Sequence, residues 1–109
     1  MNPLTIDLHS AANGPVLRVA GDLDFDRAPE LRRRIDELAL TSGQCLEMDL
    51  SGLGFCDSSG ITALLAARQH ALAAGADIVL AAAPANLMRV LSLVGLDRVF
   101  TLRPDATAP

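Results

Sequence analysis

Residues 46–65 read LEMDLSGLGFCDSSGITALL. Leu46, Met48 and Leu50 alternate with Glu47 and Asp49, the period of a half-buried strand. Ser51 to Asp57 is a glycine-containing loop that carries Phe55 and Cys56. Ser58 or Ser59 then caps a helix whose apolar side holds Ile61, Leu64, Leu65 and Leu72, and Gly75 supplies its C-terminal stop. A strand that runs through a short loop into a helix is the repeating unit of an α/β domain.

The same alternation extends in both directions. Downstream, Asp77 to Ala82 is a short buried strand around Ile78, Val79 and Leu80. Pro84 starts a third helix with Leu87, Val90, Leu91 and Val94 on one face, Gly95 stops it, and Val99, Phe100 and Leu102 make a last strand. Upstream, Leu4, Ile6 and Leu8 alternate with Thr5, Asp7 and His9, and Asn13-Gly14 turns the chain into a second strand over Val16 to Ala20. Gly21 to Asp26 is an acidic loop, with Asp26 placed to cap a first helix carrying Pro29 in its first turn and Ala28, Leu31, Ile35, Leu38 and Ala39 on one face.

The order is therefore β-β-α-β-α-β-α-β within residues 1–109, read as one α/β domain with Arg103 to Pro109 as a loose tail. Right-handed crossovers turn this order into a mixed, mostly parallel sheet of four to five strands, with an antiparallel hairpin at its edge and helices packed on it. Function in such sheets gathers at the carboxyl ends of the strands. Gly21 to Asp26 and Ser51 to Gly60 both lead from strand to helix, so both are expected there.

Composition removes whole classes of chemistry. The chain has 109 residues, a formal charge of −4 and no lysine, so all nine of its basic residues are arginine. A P-loop, a Schiff base and a kinase phosphate-pairing lysine all need the missing residue. Trp and Tyr are absent and Phe25, Phe55 and Phe100 are the only aromatics, which leaves no platform for stacking bases; with the acidic balance, nucleic acid is not an expected partner. Met1 to Asp7 reads as strand rather than leader and no apolar run approaches a membrane span, so a cytoplasmic location without membrane insertion is expected. Cys45 and Cys56 make neither a disulfide framework nor, without clustered histidines, a metal site.

Asp57-Ser58-Ser59-Gly60 carries the most information. Helix capping explains one of these residues, since Asp and Ser are favoured N-caps and a cap contributes about 1 kcal/mol. It does not require a second serine, and Gly60 inside the helix weakens it. The functional reading makes Ser58 a phosphoacceptor: phosphate at a helix N-terminus meets backbone N–H groups and the positive end of the dipole. It would add about −1.5 to −2 charge beside Asp57 and the acidic loop Asp22, Asp24 and Asp26, and so repel a docked partner without unfolding the domain.

Gly21-Asp22-Leu23-Asp24 with Ala28-Pro29-Glu30-Leu31, then Asp49-Leu50-Ser51-Gly52-Leu53 running into Phe55-Cys56-Asp57-Ser58-Ser59-Gly60, resembles the STAS domain of bacterial anti-sigma factor antagonists over nearly the whole chain. The resemblance implies a non-enzymatic switch without a cofactor. Its partner is an anti-sigma factor serine kinase with a histidine-kinase-like ATPase fold, which the unphosphorylated antagonist sequesters so that a sigma factor is freed. Phosphorylation of Ser58 ends binding, and a PP2C-type phosphatase restores it. Position by position, the resemblance makes Asp57 the carboxylate that supports recognition by the kinase, Asp24 an acidic residue of the docking surface, and Ser59, Gly60 and Ile61 the helix start that the partner covers. Cys56 departs from the family, where a larger aliphatic residue or methionine is more usual.

Other classes fit less well. A response-regulator receiver would use Asp57 but needs an acidic pair after its first strand and a lysine. A serine hydrolase needs a Gly-x-Ser-x-Gly elbow, which Phe55 to Gly60 does not supply, and a histidine; His9 and His70 have no sequence argument for meeting Ser58. The remaining alternative keeps the fold and changes the use: a STAS scaffold, or an accessory subunit of a larger signalling assembly or membrane transport system.

Overall fold

A computed structural model describes residues 2–106. Six strands and three helices follow one another as β1 (Thr5–Ala11), β2 (Gly14–Leu23), α1 (Ala28–Asp36), β3 (Cys45–Asp49), β4 (Leu53–Cys56), α2 (Ser58–Ala73), β5 (Asp77–Ala81), α3 (Ala85–Leu93) and β6 (Thr101–Arg103), with a single 3₁₀ turn at Leu96–Arg98 before β6. The main sheet runs β1-β2-β3-β5-β6. Only the β1–β2 hairpin is antiparallel, with Ile6 opposite Val19 and Leu8 opposite Leu17; every other pair is parallel. This is the mixed, mostly parallel α/β sheet that the order of elements implies.

One strand lies where a loop is expected. β2 is ten residues long and β3 only five, so β3 flanks β2 at Val16–Arg18 and then leaves. The chain turns at once: Asp49 Oδ1 accepts from the Ser51 N–H at 3.0 Å and the Leu50 carbonyl from the Leu53 N–H at 3.1 Å. It then returns as β4 beside the vacated end of β2, pairing Gly21 with Leu53 and Leu23 with Cys56 across an irregularity at Gly21/Asp22. Backbone pairing that β2 would otherwise lack forms this strand, not side-chain alternation. Six strands result where four to five are expected.

The core lies on one side of the sheet. Leu17, Val19 and Leu23 of β2, Leu46 and Met48 of β3, and Ile78 and Leu80 of β5 meet Leu31 and Ile35 of α1, Leu64 of α2 and Leu87 and Leu91 of α3. The buried stripe of α2 is Gly60, Ala63, Leu64, Ala67 and Ala71, mostly small residues that let this helix lie close to the sheet and to α1. Residues of alternate register, Glu47 and Asp49 among them, point to the opposite face. These two carboxylates are buried because β3 has a neighbour on each side. Glu47 is paired with Arg103, which reaches it from β6 across β5. Arg103, the first residue of the expected loose tail, is thus part of the sheet, and residues 107–109 lie outside the described residues.

Two further expectations are corrected at α1. Asp26 does not cap it: the N-cap is Arg27, whose N–H bonds to Asp24 Oδ1 at 3.0 Å while the Asp24 carbonyl accepts from Ala28 at 2.8 Å. The helix also ends at Asp36, so Leu38 packs on the core from beyond it.

Candidate functional site

β2, β4 and β5 each deliver the chain into a helix at the carboxyl end of the sheet. The register that sets Leu23 beside Cys56 makes the next residues, Asp24-Phe25 and Asp57-Ser58, leave the sheet side by side. The Asp57 N–H also bonds to the Leu23 carbonyl at 3.3 Å. The two loops singled out in the sequence therefore form one surface.

Asp57 is the N-cap of α2. Its Oδ1 accepts from the Ser59 N–H at 2.9 Å and the Gly60 N–H at 3.2 Å, and its carbonyl accepts the first helical bond from Ile61 at 3.1 Å. Capping thus belongs to Asp57, not to either serine. The backbone N–H groups expected to receive a phosphate on Ser58 are already occupied by this carboxylate. Ser58 is exposed, its carbonyl accepts from Thr62 Oγ1 at 3.0 Å, and its hydroxyl makes no hydrogen bond among the described residues. A phosphate there would project outward beside Asp57.

Gly60 explains how the serine is presented. A Cβ at this position would lie 2.6 Å from Cys56 Sγ, 2.8 Å from the Leu23 carbonyl oxygen and 2.9 Å from Leu23 Cγ. Only glycine lets the first turn of α2 sit this low on β2 and β4, with the Cys56 sulfur filling the space beneath. Burial, with a smaller contribution from the Asp57 charge, raises the Cys56 thiol to about 11. At neutral pH it is a protonated packing group, not a nucleophile.

The acidic loop is also built into the fold. Asp22 Oδ2 accepts from the Asn2 N–H at 3.1 Å, and Asp24 forms a 2.7 Å ion pair with Arg27, while Asp26 is exposed. Ser59 is half-buried, Ile61 packs partly against the core, and Gly60 is buried. Of the residues matched to the family motif, Asp24, Asp57, Ser58 and Ser59 reach the surface together, whereas Gly60 acts through position.

Two residues not singled out for a role stand beside them. Phe25 is 75 % exposed on the β2 loop, and Phe55, 50 % exposed, lies on β4 and lines a groove of about 100 Å³ with Leu53, Leu87 and Val90. The clue in the sequence was that two of only three aromatics fall in these two segments. Hydrolytic chemistry finds no support here. His70 lies twelve residues along α2 from Ser58, about 18 Å at 1.5 Å per residue, and its Nε2–H bonds to the Leu38 carbonyl at 2.8 Å. His9 is exposed on β1. No group of three or more potential metal ligands occurs among the described residues.

A family model described as "Mlab, STAS domain" matches residues 6–104. The chain belongs to the STAS domain family. An anti-sigma factor antagonist from Mycobacterium paratuberculosis is 28 % identical to this STAS domain, with a TM-score of 0.81 over 94 % of this chain and 86 % of that one. The Bacillus cell fate determinant SpoIIAA in its phosphorylated form is 23 % identical, with a TM-score of 0.71 over 94 % and 92 %. A sulfate transporter family protein from Wolinella succinogenes is 16 % identical, with a TM-score of 0.71 over 83 % and 75 %. The STAS fold is thus shared with antagonists and with a transporter family protein. No helix among the described residues is long and apolar enough to cross a membrane.

Proposed function

We propose that this STAS domain is a cytoplasmic anti-sigma factor antagonist switched by phosphorylation of Ser58. With Ser58 unmodified it holds an anti-sigma factor serine kinase of the histidine-kinase-like ATPase fold and so releases a sigma factor. With Ser58 phosphorylated the kinase lets go, and a PP2C-type phosphatase resets the cycle. The domain itself catalyses nothing and needs no cofactor. The observation that carries the reading is the exposed Ser58 hydroxyl on a helix start fixed from below by Gly60 and from the side by the Asp57 cap. The 28 % identical antagonist supports the same role.

The switch works through charge and solvation. Phosphate adds about −1.5 to −2 charge in an outward position beside Asp57. Because Ser59 and Gly60 already give their N–H groups to Asp57, the helix start offers the new dianion little compensation. A kinase closing over Ser58 would have to strip water from that charge while holding its own nucleotide phosphates opposite it, so closure fails and the fold survives.

Paired baits carrying Ser58→Ala and Ser58→Asp, exposed to lysate of the native host and read by mass spectrometry, test this. An ATP-binding serine kinase retained on the alanine bait and lost from the aspartate bait is the expected result. Equal recovery of a kinase on both, or transporter subunits in its place, would return Ser58 to an ordinary first-turn residue and favour a scaffold or transport-accessory role.

A further inference from the structure

Phe25 and Phe55 are the exposed members of the chain's three phenylalanines. The third phenylalanine, Phe100, is 4 % exposed in the core, whereas these two keep 75 % and 50 % of their surface in water. Phe25 stands on the β2 loop that leaves the sheet beside Asp57-Ser58, and Phe55 stands on β4 opposite Asp22, three residues before Ser58. Leu93 and Val94, 79 % and 60 % exposed, lie one turn beyond Val90 at the C-terminal end of α3, the end remote from the turn that leads from β5 into this helix. That groove, at about 100 Å³, is too small for a metabolite, whose pockets run to roughly 300–1,000 Å³. Aromatics exposed around a functional group, next to a shallow apolar groove, mark a protein-docking surface.

The charge around them is one-sided. Asp22, Asp24, Asp26 and Asp57 lie on the two segments, and the arginine among them, Arg27, is committed to Asp24 by its 2.7 Å ion pair. Resting on the switch reading above, we infer that Phe25, on the loop beside Ser58, and Phe55, on the strand that leads to it, are the apolar anchors on which the kinase docks, against an apolar kinase surface rimmed by cationic side chains. The cationic rim meets the acidic loop. Opposite Ser58 itself the kinase must hold the γ-phosphate of its nucleotide in line with the serine oxygen. In the transfer the Ser58 oxygen forms the new P–O bond, the bond to the nucleoside diphosphate breaks, and the serine proton leaves to a base on the kinase or to water. The new phosphoserine then lies beside the Phe25 segment and opposite the diphosphate, where the docked apolar surfaces exclude water. The anchors therefore both hold the unmodified state and make the modified one costly.

The test uses the purified kinase retained by the Ser58→Ala bait. Titration calorimetry measures its affinity for the unmodified chain, for Phe25→Ala and Phe55→Ala, and for each of these combined with Ser58→Asp. Each alanine variant should melt like the parent, weaken kinase binding at least tenfold, and shrink the ratio between unmodified and Ser58→Asp affinities. Because the chain has three phenylalanines, labelling with 4-fluorophenylalanine gives three ¹⁹F resonances. Those of Phe25 and Phe55 should shift on adding kinase while Phe100 stays in place. Kinase binding that is lost in Ser58→Asp but unchanged within twofold in both alanine variants, with unmoved resonances, would overturn the anchors and leave the switch standing. An unmodified chain that binds no such kinase would overturn the switch and the anchors together.

Discussion

Gly60→Ala pits two physical effects of opposite sign against each other. In an exposed helix the change is stabilising, because alanine is favoured over glycine by roughly 1 kcal/mol. Here the added methyl would stand 2.6 Å from Cys56 Sγ and 2.8 Å from the Leu23 carbonyl oxygen. The sulfur can yield, but the Leu23 carbonyl is backbone that accepts from the Asp57 N–H, so the helix start must rise. Overpacking of this kind costs about 1–3 kcal/mol, and distortion of the Asp57 cap adds a further fraction of its ~1 kcal/mol. Set against the propensity gain, the net expectation is a loss of about 1–2 kcal/mol. In a domain of this size each kcal/mol lowers Tm by roughly 4–8 °C. Urea denaturation followed by far-UV circular dichroism reads the change, and Gly60→Ala with Cys56→Ala separates its two causes. Removing the sulfur should restore only part of the loss, because the Leu23 carbonyl remains. A Gly60→Ala protein as stable as the parent or more so would refute the claim that α2 is seated by a missing Cβ.

Asp57 and Cys56 give two further expectations. Asp57→Ala should lower stability by about 1 kcal/mol through the lost cap, whereas Asp57→Asn, an equally good capping residue, should stay within about 0.5 kcal/mol; equal melting losses in calorimetry would show that the charge, not the cap, matters to the fold. The alkaline limb of the stability curve reports the thiols, since the chain has no lysine or tyrosine to titrate beside them. With Cys56 raised from 9.0 to about 11, the unfolded chain loses its thiol proton first. Stability should therefore hold below about pH 9 and fall as pH climbs towards 11, and Cys56→Ala should remove most of that fall in urea titrations.

The alternation of Leu46, Met48 and Leu50 and the caps and glycines around the helices made the α/β order legible, and Asp57-Ser58-Ser59-Gly60 singled out the candidate site. What escaped were features set by distant partners. β4 has four residues, one a glycine, and no polarity pattern; it exists because β2 outruns β3. Glu47 looked solvent-facing by alternation, yet a strand flanked on both sides buries it, and its partner Arg103 lies 56 residues away in a segment that reads as tail. Among the three aspartates of the first loop, nothing local distinguishes Asp24, which holds Arg27 and Ala28, from Asp26, which stays exposed. The tight fit of Gly60 over Cys56 likewise depends on where Leu23 ends up.

The central claim concerns one hydroxyl, and one titration addresses it. The kinase is titrated calorimetrically into the unmodified chain and into the same chain stoichiometrically phosphorylated on Ser58, with matched circular dichroism showing both folded. An added dianion beside Asp57 should weaken binding at least a hundredfold, the several kcal/mol that an uncompensated like-charge contact costs. Equal affinity of the two folded forms would contradict the account.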